Sequence, residues 1–93
     1  MSAYGDGPKG GMLRMDTQIE VISVLSNSPD ANEATRAIRL WIESKQRKGK
    51  AEQDIIVKLE GMECQFLTSD HTVHGAFHVA RQETGLPTSG VLP

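Results

Sequence analysis

The sequence predicts a small α+β domain: a two-layer sandwich in the order strand, helix, strand, strand, helix, with both helices on one face of a three-stranded sheet. Thr17 to Leu25, TQIEVISVL, is rich in β-branched residues and partly alternates, as a strand does. Asp54 to Leu59 and Met62 to Leu67 flank Glu60-Gly61, a pair resembling the Asp-Gly and Asn-Gly turns of hairpins because glycine accepts positive φ. The stretches beginning at Ala34 and at Asp70 repeat their apolar residues at threes and fours, the period of a helix.

The opening segment, residues 1–15, is MSAYGDGPKGGMLRM, with four glycines, one proline and no apolar period. Ordering it would cost backbone entropy that little buried surface offsets, so a disordered arm is expected. Strand one follows, with Ile19, Val21 and Leu25 set against Gln18 and Glu20. Ser28 then reads as an N-cap, Pro29 as the first helical residue, and Asp30 and Glu33 as acids at the positive end of the dipole. Helix one buries Ala34, Ala37, Ile38, Trp41, Ile42 and the stem of Lys45, and turns Arg36, Arg39 and Glu43 elsewhere. Trp41 reads as core. Lys45, Arg47 and Lys48 suit the negative end of that helix, and Gly49 suits its C′ position.

In the hairpin, Ile55, Val57 and Leu59 share a face with Met62, Cys64 and Phe66, so Cys64 is expected in the core. Helix two is capped by Ser69 or Asp70 and runs to about Thr84, with Gly75 as a mild penalty inside it. The competing pattern for residues 72–80 is a further strand with Val73, Phe77 and Val79 on one side. The tail from Gly85 to Pro93 has two glycines and two prolines and is expected to be flexible, leaving one domain over residues 16–84. A three-stranded sheet covered on one side leaves a face and edges open. Ile22, Val24, Ile56 and Leu67 would supply apolar contacts there, and pairing with a second copy or another protein is expected.

A formal charge of −2 is too small to steer the chain toward nucleic acid or to imitate it. Cys64 is the single cysteine, so no internal disulfide forms, and the start of the chain has no secretory pattern. Apolar runs fall far short of the roughly 18 residues that span a membrane. A soluble, cytoplasmic protein is expected.

All three histidines, His71, His74 and His78, fall within eight residues at spacings of three and four. On a helix they span about 60° of circumference, with Val73, Ala76, Phe77 and Ala80 opposite, so the imidazoles should face outward and titrate near ~6.5. With Arg81 they form a candidate interaction face. His74 and His78 at i and i+4 have the spacing to chelate a transition metal, with His71 assisting, yet a structural zinc site needs four ligands and no paired-cysteine or His-Glu-x-x-His pattern is present. The expectation is therefore no metal and no cofactor. Catalysis is disfavoured too: neither Asp70 nor Glu83 stands behind a histidine on the helix, and no activated nucleophile is evident. GDGPKGG at residues 5–11 lacks the spacing of a phosphate loop. Lys45, Arg47, Lys48 and Lys50 make a basic run able to touch phosphates, though no aromatic residue is interleaved with them.

From Ala34 to Phe66 the chain resembles the effector-associated constant components of bacterial conflict systems, through a helix ending in IRLWIESKQRK and a segment around glycine, IIVKLEGMECQF. The resemblance covers about a third of the chain and departs on the N-terminal side, where that family usually carries a longer small-residue segment. It implies a non-enzymatic adaptor linking an effector to other components, with no catalytic residues to carry over. The residues themselves point to the same class, a small protein-interaction module acting as adaptor, regulator or inhibitor. The alternatives are a nucleic-acid-binding regulator using the basic run and a metal-binding protein using the histidines.

Overall fold

Backbone N–H groups at the start of a helix need acceptors, and the Thr17–Glu20 pair supplies them. The Thr17 hydroxyl accepts from the Glu20 N–H at 3.2 Å, and Glu20 Oε1 accepts from the N–H groups of Asp16 at 2.8 Å and Thr17 at 2.9 Å. This capping box starts a helix where a strand was expected. In the computed structural model, which describes residues 15–66 and 71–87, the regular structure is α1 (Gln18–Leu25), α2 (Ala31–Arg47), α3 (Glu52–Cys64) and α4 (His71–Glu83). No strand is present among the described residues, so the α+β sandwich is corrected to an all-helical domain. In α1 the buried pair is Val21 and Leu25, at helical spacing, while Ile19 is 78% exposed.

Helix α2 follows its expected pattern closely. Ala34, Ala37, Ile38, Trp41 and Ile42 are buried, Gly49 sits just beyond the end at φ 75°, and Lys45 Nζ stands 5.7 Å above the Trp41 ring. The start differs by two residues. Asp30 is the cap, its Oδ1 accepting from the Glu33 N–H at 2.8 Å, and Ser28 takes φ 51° in the preceding turn.

The expected hairpin is instead α3. Ile55, Leu59, Met62 and Phe66 are buried at spacings of four, three and four, the helical period. Val57, at 54% exposure, and Cys64, also exposed, point outward, so Cys64 is no core residue; Gly61 lies within the helix with open space beside it. Leu67 and the expected caps Ser69 and Asp70 lie outside the described residues. Helix α4 forms as expected, with Val73, Ala76, Phe77 and Ala80 buried, and the strand alternative for residues 72–80 is excluded. Gly75 is exposed, and Gly85 takes φ 81° just after the helix.

The centre of the molecule is the seam between α2 and α4, where Trp41, Ile38 and Ile42 meet the layer of Phe77. Arg39 donates to Glu83 Oε1 at 3.2 Å and Gln46 to the Thr84 carbonyl at 3.1 Å, closing the edge of that seam. Helix α1 packs on α2 and α3, and α3 also contacts α2 and α4. Asp16 ties the start of α1 to α2, its carboxylate accepting from Ser44 Oγ at 2.9 Å and its carbonyl from Lys45 Nζ at 2.7 Å. Met15 and Leu86 are both buried, so the core reaches slightly past the expected limits of 16 and 84. Residues 1–14 of the expected arm and 88–93 of the expected tail lie outside the described residues.

Candidate interaction site

Packing divides α4 lengthwise. One side is consumed by α2, and the other carries His71 and His78, both exposed, with His74 between them. His74 is held from α3: its Nδ1 lies 3.2 Å from Glu63 Oε2, with the two side chains 28% and 29% exposed. A carboxylate only accepts, so Nδ1 carries the hydrogen of this bond. Of the acids weighed from sequence, Glu83 accepts instead from Arg39, and Asp70 lies outside the described residues. Glu63 escaped notice because a strand over residues 62–67 turns it away from the core; only a helix brings it beside α4.

Arg81 lies within about 20° of His74 around the helix, two turns further on. It was expected on the open face with the histidines, and the structure corrects this: Arg81 is 5% exposed and lines a cavity together with Glu63 of α3. Its Nε is fully enclosed and has no hydrogen-bond partner among the described residues. Leaving a buried donor unmet costs about 1–3 kcal/mol. A cavity of about 90 Å³ adjoins it, lined by Glu63, Phe77, His78 and Arg81. The sequence places Arg81 on the correct azimuth; the neighbour that buries it is a tertiary fact.

A larger groove of about 430 Å³ runs past Leu25, Ser28, Pro29, Gln65, Phe66 and Val73, and no titratable side chain among the described residues lines it. The basic run is divided. Lys45 is committed to the fold through Asp16 and Trp41, and its pKa is lowered, first by burial and then by the nearby charges of Lys48 and Lys58. Arg47, Lys48 and Lys50 are exposed, and Lys58 from α3 joins the patch, a residue no local pattern connects to it. Among the described residues no group of three or more His, Cys, Asp or Glu is placed to hold a metal ion, so His71, His74 and His78 do not converge on one point. No helix among the described residues is long and apolar enough to cross a membrane.

Comparison of the chain with protein-family models, curated proteins and solved structures returns no match. The likeness of IRLWIESKQRK and IIVKLEGMECQF to the conflict-system components therefore rests on those residues alone, and the second segment is helical in this chain.

Proposed function

We propose that this protein is a non-catalytic interaction module, an adaptor, regulator or inhibitor, that docks a partner protein on the outer face of α3 and α4 through His71, His74 and His78. Docking through a sheet is withdrawn, since no sheet forms among the described residues. The carrying observation is the His74–Glu63 bond, flanked by two exposed imidazoles. A ring already held in one orientation loses less side-chain freedom on binding, which favours a fixed polar contact surface. The adaptor role implied by the conflict-system resemblance agrees with this proposal. An exposed lone thiol, Cys64, fits a reducing compartment such as the cytoplasm.

The test is affinity capture from the native cell with the wild type and a His71→Gln/His78→Gln variant, both shown to be folded by circular dichroism. A partner protein retained by the wild type and lost from the variant is the expected result. Equal retention by both overturns the assignment of the face. The second reading, nucleic-acid contact, is favoured by the electrostatic proximity of Lys48, Lys50 and Lys58 around Lys45. It requires nucleic acid in the captured material and an affinity that falls steeply with added salt.

A further inference from the structure

We infer that the His74–Glu63 bond is a proton-operated latch, which draws α3 onto α4 more firmly as pH falls through the histidine range; this supplies a regulation of the proposed docking face and rests on that reading. Two observations meet in this bond. It joins two helices, since Nδ1 of His74 in α4 lies 3.2 Å from Oε2 of Glu63 in α3. It also stands at the water boundary, with the two side chains 28% and 29% exposed. Protons therefore reach the ring, while the surroundings are dry enough for an added charge to be felt. With the imidazole neutral, Nδ1–H donates an ordinary hydrogen bond to the carboxylate. A second ring proton, taken up at Nε2, makes the ring a cation and the same bond charge-assisted.

The charges around His74 decide the direction. Glu63 is the near one and favours the imidazolium. On α4 itself His71 and His78 stand one turn to either side, and they oppose a charge on His74 only when they are themselves protonated. Arg81 opposes it from about 10 Å further along the axis, and its charge is constant over this range. The positive end of the α4 dipole opposes it too, but His74 is already the fourth residue of the helix and that effect fades within the first turn. On α3 the next charged residue before Glu63 is Glu60, an exposed acid, while α2 packs on the opposite side of α4, where Arg39 pairs with Glu83. Asp70, four residues before His74, lies outside the described residues. Coulomb energy falls with the inverse of distance, so a carboxylate at 3.2 Å outweighs cations set a turn or two along the helix. The linkage then has a fixed sign. A midpoint raised by folding means that the latch contributes fully below the unfolded value of about 6.5 and is lost as pH rises through the raised one. A firmer α3–α4 seam holds the imidazoles of the docking face in place, and a preordered face loses less freedom on binding.

The experiment is NMR titration of the full chain from about pH 5 to about pH 8.5, above the ordinary carboxyl range, following the ring of His74. Its midpoint in the wild type is expected at least about half a unit above that in Glu63→Gln, which keeps a hydrogen-bond acceptor but carries no charge. Amide exchange in the C-terminal half of α3, corrected for its intrinsic dependence on pH, should slow at least about twofold between about pH 8 and about pH 5.5 in the wild type. His74→Gln should lose that dependence. A His74 midpoint that Glu63→Gln leaves in place or raises, or an α3 protection that varies with pH equally in the wild type and in His74→Gln, would overturn the latch; the exchange comparison decides alone if Glu63→Gln does not fold. Both readouts concern the free chain, so their failure is separable from failure of the docking face, which the His71→Gln/His78→Gln capture tests independently.

Discussion

Thr17 and Glu20 show how two residues override the apparent propensity of the segment they precede. Thr-x-x-Glu ahead of an apolar run is a readable helix start, and the β-branched content of QIEVISVL concealed it. The Glu20 carboxyl is held below its ordinary 4.5, chiefly by the Thr17 N–H and next by that of Asp16. A pKa lowered by folding means that this contribution to stability is complete above the ordinary value and is lost as pH falls through the lower, folded one. Melting temperature measured against pH should therefore drop more steeply in acid for the wild type than for Glu20→Gln, which keeps an acceptor but does not titrate. Thr17→Ala should cost about 1 kcal/mol at neutral pH. At Trp41 the burden is larger: the side chain is fully buried and its Nε1 has no partner among the described residues. Trp41→Ala should cost about 3–5 kcal/mol, whereas Trp41→Phe should cost distinctly less because it removes the unmet donor together with only part of the ring volume. Equal losses in denaturant melts would show that the Trp41 N–H is satisfied.

At the scale of elements, the sequence was legible where one period dominates and ambiguous where two periods share residues. Helix α2 has a stripe that fits only 3.6 residues per turn, and its five expected apolar residues are all buried, with Ser44 buried beside them unforeseen. In α3, Ile55 and Leu59 fit both a strand face and a helix face, since they are four apart. Val57 and Cys64 decide between the two, and each is apolar enough to be assigned inward on composition alone. Glu60-Gly61 added a turn signal that the helix tolerates, because Gly61 is exposed and needs no special conformation. Paired substitutions discriminate. Leu59→Ala should cost about 2–5 kcal/mol and Val57→Ala within about 0.5, judged from thermal or urea melts; comparable losses at both would restore the hairpin register.

At the scale of the whole molecule, α4 joins fold and proposed function: one side completes the core with α2, and the other presents imidazoles beside a buried cation. The histidine stripe could be read from spacing alone. Glu63 and the burial of Arg81 could not, because both depend on α3 being a helix packed against α4, a long-range contact with no local signature. The expected self-association rested on the small folded size of the chain as well as on open sheet edges, and only the second basis falls away with the sheet. The central claim is that the α3–α4 face is where a partner docks. Amide hydrogen exchange on the captured complex, compared with the free chain, tests it most directly. Protection confined to the C-terminal half of α3 and to His71–Arg81 is the predicted footprint; protection centred on α1 or on residues 47–51, with α4 unchanged, would contradict it.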